Sequence, residues 1–223
     1  MLRGKGILSE FQLAVLRYIA RLPDQERFYL TGGTALAEYY LGHRLSYDLD
    51  LFTSEADLIL PFSYRVEQAA ESSNLQVTIV RRFASLVEFQ VSQGTNTIKV
   101  DLAMDSPFRF APSERGDAGV MVNDYQDLQA DKTLAFFGRA EPRDAVDLYF
   151  LLQTTSFEDL AELARKKDSG FDFYWFAVAL NRVAKFPDEI ERWPVKMLVN
   201  FEPVELKRSF LSLAMKIMAD HTG

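Results

Sequence analysis

Asp48 and Asp50 stand one residue apart near the end of TGGTALAEYYLGHRLSYDLDLFT, the stretch from Thr31 to Thr53. In a strand, residues i and i+2 point to the same side. The two carboxylates therefore project together, and Leu49 and Leu51 project to the other face. Two like charges a few ångströms apart repel each other unless a cation sits between them. Asp101 lies in IKVDLAM among Ile98, Val100 and Leu102, where a lone carboxylate is costly to bury. Two carboxylates on one strand and one on a neighbour suit Mg²⁺, an ion usually held by few carboxylates plus substrate phosphates. Ahead of them, Gly32-Gly33 lets backbone N–H groups approach a phosphate, and Thr34 begins a helix whose N-terminus favours anions. Together these parts are suited to a nucleoside triphosphate with two Mg²⁺ ions, poised for in-line phosphoryl transfer.

The elements that must carry these residues follow from periodicity and turn chemistry. Residues 8–22 read as an amphipathic helix capped by Ser9. RFYLT (27–31) reads as a strand broken by the glycine pair, residues 34–41 as a helix, and YDLDLFT (47–53) as a strand. Residues 62–73 read as helical. Three β-rich runs follow at 75–83, 85–92 and 97–104. The first two meet at Ala84-Ser85 and the last two at QGTN, which implies an antiparallel meander. From about residue 124 the pattern turns helical: 124–138, 142–153 with Pro142 at its start, 157–167, 172–184 and 204–219. The expected fold class is α+β, a small mixed sheet with flanking helices followed by a C-terminal helical domain. The expected domains are residues 1–122 and 123–223.

Composition narrows the chemistry. The chain carries a net charge of −7, with 12 basic against 15 acidic residues up to position 122 and 13 against 17 beyond it. Neither part is basic, so non-specific binding to a long phosphate backbone is not expected. A nucleic-acid partner would need a local patch, for which Arg81, Arg82, Lys99, Arg109 and Arg115 are candidates. There are no cysteines and only two histidines, which argues against a zinc enzyme, a disulfide scaffold or a hydrolase built on histidine. His43 reads as a loop residue near a site entrance. No apolar run approaches the roughly 20 residues that span a bilayer. The basic N-terminus is interrupted by Glu10, Arg17 and Arg21 and reads as a helix, not a signal peptide. The expected setting is the cytoplasm, without a membrane partner.

GGTALAEYYLGHRLSYDLDLF resembles the signature of the AbiEii/AbiGii nucleotidyltransferase toxin family, within the DNA-polymerase-β-like nucleotidyltransferase superfamily. The resemblance extends to IKVDL and to DLQADKTLAFFGRAEPRDAVDLYFLL, covering roughly residues 27–153. It implies a nucleotidyltransferase core of residues 1–122 and a helical domain closing over the nucleotide. It also implies transfer of a nucleoside monophosphate to an acceptor such as tRNA, and a cognate antitoxin. By this resemblance Gly32, Gly33 and Thr34 match the phosphate-binding turn, and Arg44 and Ser46 an Arg-x-Ser-x-Asp element. Asp48 and Asp50 match the metal pair. Asp101 matches the third carboxylate, which helps deprotonate the attacking hydroxyl. Lys132 matches the family lysine, and Asp144 or Asp147 the acidic position of the last motif. Two other readings compete. One is transfer to a small molecule of the aminoglycoside type, which the acidic balance favours. The other is nucleotide binding without transfer, against which the intact set of three aspartates argues.

Overall fold

The computed structural model describes residues 1–221. Contacts gather the chain into two units, Met1–Tyr125 and Gln126–Gly223.

The first unit opens with α1 (Glu10–Ile19), whose start is fixed by a reciprocal cap. The Gln12 N–H donates to Ser9 Oγ at 3.1 Å and the Ser9 N–H to Gln12 Oε1 at 3.0 Å. Strand β1 (Tyr29–Thr31) leads directly into α2 (Gly32–Ala35), which continues as a π-helical turn over Leu36–Leu41 and stops at Gly42, φ +73°. Then come β2 (Leu49–Thr53), α3 (Ala56–Glu71), β3 (Gln76–Phe83), β4 (Leu86–Gln93), β5 (Asn96–Met104), β6 (Glu114–Arg115) and β7 (Met121–Val122). They form a seven-stranded sheet in the order β3-β4-β5-β2-β1-β7-β6. The expected meander β3-β4-β5 is antiparallel, β5 and β2 run parallel, and β1 pairs antiparallel with β2. Strand β3 is outermost, and its register slips between Ile79 and Arg81.

The alternation in these strands decides which face is apolar. Leu49, Leu51, Val87, Phe89, Val91, Val100 and Leu102 are buried, while the residues between them are at least partly open. Helix α3 packs against β2 to β5, burying its own Ile59, Phe62, Val66 and Ala70. That apolar spacing explains why α3 begins at Ala56 and not at residue 62, as the sequence suggests. Pro61 falls inside the helix. It removes one N–H near the helix start, and the buried face outweighs that loss. Strand β2 likewise begins at Leu49, two residues later than expected, and leaves Asp48 in the preceding loop.

Helices dominate the second unit. Its helices are α4 (Tyr125–Arg139), α5 (Pro142–Leu151), α6 (Phe157–Lys167), α7 (Phe173–Asn181) and α8 (Pro203–His221), with α4 starting one residue before the unit boundary. Aromatic rings fill its core. Phe136 meets Phe176 and Phe210 edge-on at 5.9 and 5.3 Å, and Phe157 stacks on Phe176 at 5.4 Å. A mixed sheet with flanking helices followed by a helical unit is the α+β class expected from the sequence.

Candidate active site

The parallel pairing of β2 with β5 puts Asp50 directly beside Asp101. The antiparallel pairing of β5 with β4 puts Glu88 on the other side of Asp101, and β1 puts Thr31 beside Asp50. Paired residues in adjacent strands share a face. One polar row therefore crosses the sheet from Glu88 through Asp101 and Asp50 to Thr31, opposite the apolar face. Asp48 stands one strand step from Asp50. Its carbonyl accepts the Thr34 hydroxyl at 2.5 Å. Thr34 is buried, so this hydroxyl anchors the backbone that presents Asp48.

The glycine pair is pressed against the same groups. Gly32 has φ +67°, a left-handed conformation that costs other residues energy. A Cβ on Gly32 would come within 2.1 Å of Asp50 Oδ2. A Cβ on Gly33 would meet Arg44 Nη2 at 2.6 Å and Ser46 Oγ at 3.0 Å. Gly32, Gly33, Arg44, Ser46 and Asp50 are thus brought together. Arg44 is buried and its Nη1 donates to the Leu45 carbonyl at 3.0 Å. Gln12 of α1 completes the support, donating to the carbonyls of Ser46 and Tyr47 at 2.9 and 3.2 Å.

Glu88 was not singled out by sequence reasoning, and Lys99 was read only as a candidate for a nucleic-acid patch. Lys99 Nζ lies 2.8 Å from Asp101 Oδ2 and 3.6 Å from Glu88 Oε1, and Arg81 Nε lies 3.4 Å from Glu88. Their signal was present. Lys99 is two residues before Asp101 and shares its face, and counting back in step from the Gly94-Thr95 turn sets Glu88 opposite Asp101. Burial pushes the Asp101 carboxyl up from its usual range. The hydrogen bond and charge of Lys99 pull it partly back, and Glu88 and Asp48 push it further up. Burial works against the Lys99 charge too, but Asp101, Glu88 and Asp48 outweigh it and hold its pKa above the ordinary value.

Asp101 Oδ1 is buried and has no hydrogen-bond partner. A buried carboxylate oxygen without a donor, in register with Asp50, fits a hard cation. Among the described residues, no three His, Cys, Asp or Glu side chains already stand together in metal-binding geometry. The donor set fits a divalent ion in kind, with the cationic Lys99 held at Asp101.

The remaining candidates lie in the helical unit. Lys132 is buried and paired with the fully buried Asp147 at 2.8 Å. Asp144 is gripped at two points by Arg139, Nε to Oδ2 at 2.6 Å and Nη2 to Oδ1 at 2.7 Å. Asp144 and Asp147 thus share a helix and answer different cations. His43, read as a loop residue near a site entrance, does lie outside helix and strand, but it is 1% exposed. The candidate basic residues are also engaged: Arg82 pairs with Glu67, and Arg109 donates to Asn123 Oδ1 at 2.5 Å.

Comparison with known proteins bears on the fold and the family. The structure superposes on JHP933 of Helicobacter pylori with a TM-score of 0.63 at 19% identity, covering 96% of this chain and 94% of that one. It superposes on MenT4, a nucleotidyltransferase toxin of Mycobacterium tuberculosis H37Rv, with a TM-score of 0.60 at 16% identity, covering 93% and 83%. At these identities the likeness is one of fold. A relative in Aquifex aeolicus (strain VF5), the uncharacterized protein aq_aa25, is 29% identical over 174 residues, 74% of this chain and 78% of its own. Residues 14–209 match the family model described as nucleotidyl transferase AbiEii toxin, Type IV TA system. The chain belongs to the AbiEii family of nucleotidyltransferase toxins.

Proposed function

We propose that this protein transfers a nucleoside monophosphate from a nucleoside triphosphate to an acceptor hydroxyl, with release of pyrophosphate, and that the acceptor is tRNA. The observation that supports the reading best is the polar row, in which Asp50 lies in register with Asp101 and against Gly32. Bound divalent ions, Mg²⁺ by the chemistry of the oxygen donors, supply charge neutralisation for the attacking and leaving oxygens. Asp48, Asp50 and Asp101 hold them. Gly32 and Gly33 offer backbone N–H groups to the triphosphate, and Arg44, held by the Leu45 carbonyl, sets a positive charge beside that turn with Ser46 next to it. Thr34 acts through the Asp48 backbone. The Asp101 carboxylate, raised in pKa by burial, accepts or orients the acceptor proton. Lys132, paired with Asp147, contributes to nucleotide contact together with Asp144 on the strength of the family resemblance. A cognate antitoxin and a cytoplasmic setting follow on the same ground. No helix among the described residues is long and apolar enough to cross a membrane.

The acceptor is decided by incubating the protein with labelled nucleoside triphosphates, Mg²⁺ and either total bacterial RNA or a panel of aminoglycosides. A labelled tRNA band that is absent with Asp48→Asn is the expected result. The net charge of −7 favours a polycationic acceptor, and label found only on an aminoglycoside would replace tRNA with a small molecule. Nucleotide bound but transferred to nothing would remove the enzymatic reading.

A further inference from the structure

Lys99 is a charged group at the centre of the polar row that the proposed reaction leaves unused. Its ammonium sits 2.8 Å from one oxygen of Asp101, and the other oxygen of that carboxylate is buried without a donor. Its second anchor, Glu88 at 3.6 Å, belongs to the neighbouring strand, faces Asp101 across the register and is shared with Arg81 Nε at 3.4 Å. The Lys99 side chain is 39% exposed, against 18% for Asp101 and 15% for Glu88. The two carboxylates are therefore held in place, and the lysine stem between them has room to swing.

We infer that Lys99 is a built-in counter-cation that occupies the Asp101 carboxylate before metal loading and withdraws to Glu88 when a divalent ion takes its place. The proposal rests on the reading of Asp48, Asp50 and Asp101 as metal ligands. An acidic row without a cation carries like-charge repulsion on adjacent strands. A tethered ammonium relieves that repulsion and, being a single flexible point charge, lets go more readily than a guanidinium fork would. Glu88 is what makes the withdrawal inexpensive, because it keeps a partner for the displaced charge and prevents a half-buried ammonium from being stranded. Lys99 is thus a positioning residue that sets how tightly the protein loads its metal before nucleotide arrives.

The test uses the full chain without nucleotide and measures Mn²⁺ binding by calorimetry, with the melting temperature of the metal-free protein followed in parallel. Lys99→Met should bind Mn²⁺ roughly fivefold tighter than the unaltered protein, since a competitor of about the strength of a partly exposed ion pair is removed. Its metal-free form should melt lower, and Mn²⁺ should restore the difference. Lys99→Arg keeps the charge but grips the carboxylate at two points, so it should bind Mn²⁺ more weakly than the unaltered protein. Glu88→Gln should weaken Mn²⁺ binding in the natural background and do so less when Met stands at 99, because its effect passes through the lysine. A merely structural role for Lys99 would lower Mn²⁺ affinity in the Met variant. Affinity unchanged or reduced there, with Asp50→Asn still abolishing binding, overturns the competitor role alone. Mn²⁺ binding that survives both Asp50→Asn and Asp101→Asn overturns the metal-site reading itself, and the proposal with it.

Discussion

At the scale of single residues, the arrangement separates groups that handle charge from groups that position them. Asp101→Asn keeps the size of the side chain but removes its ability to accept a proton. Turnover should fall by on the order of a hundredfold or more while the KM for nucleotide changes little, the pattern of a group acting in the transition state. Steady-state kinetics over a range of nucleotide concentrations checks it. Gly32→Ala acts differently. The left-handed backbone and the approach of Asp50 Oδ2 to 2.1 Å of the new Cβ make it a strained substitution. It should cost about 1–2 kcal/mol of stability, read by thermal denaturation, and move Asp50 enough to lose transfer. The three aspartates were visible in the sequence because charge at alternate positions of an apolar strand conflicts with burial and calls for an explanation. Glu88 and the place of Lys99 at Asp101 were not, since a charged residue at an outward strand position is ordinary unless the pairing register is known. The loop position of His43 was legible from Gly42 beside it, but its burial was not, because burial depends on what packs over the loop.

At the scale of elements, much of the support for the candidate site comes from helix ends and loops. Gln12 both completes the α1 cap and holds the carbonyls of Ser46 and Tyr47. Gln12→Ala should therefore cost about 1 kcal/mol for the cap and a similar amount for the lost loop bonds. It should also weaken nucleotide binding, which Ser9→Ala, affecting the cap alone, should not; paired melting and binding measurements distinguish the two. In the helical unit, Asp147→Ala would leave Lys132 buried and unpaired, a loss of roughly 3–5 kcal/mol. Asp144→Ala releases Arg139, which is 58% exposed and can turn to water, so its melting temperature should drop far less. Long elements were legible because their apolar periodicity is sustained; residues 157–167 are α6 as read. Strands β6 and β7 were not, because two residues each leave no period to detect. The helix start at Ala56 was hidden by Pro61, whose local preference yielded to four buried apolar side chains.

At the scale of the whole molecule, buried tyrosines set the response to alkali. Burial pushes the Tyr18 hydroxyl, which donates to the Val66 carbonyl, from 10.0 up to about 12, and it raises Tyr39 and Tyr40 as well. A folded pKa above the unfolded one means the contribution is complete below pH 10. It declines as the unfolded chain ionises first, and it is gone above about pH 12. Stability measured by urea unfolding should fall across this window, and Tyr18→Phe should flatten part of the decline. The sheet has a further consequence at this scale. Its outermost strand β3 leaves one row of backbone groups without a neighbouring strand, and that strand carries a register slip followed at once by Arg81 and Arg82. Kinked backbone and adjacent positive charge both discourage a second sheet from docking edge to edge. Val80 and Phe83, exposed on either side of the arginines, would otherwise make this strand adhesive. The colloidal behaviour of the protein then depends on two side chains with no part in the proposed reaction. Arg81→Val together with Arg82→Val should convert a dispersed solution into concentration-dependent aggregates detectable by light scattering.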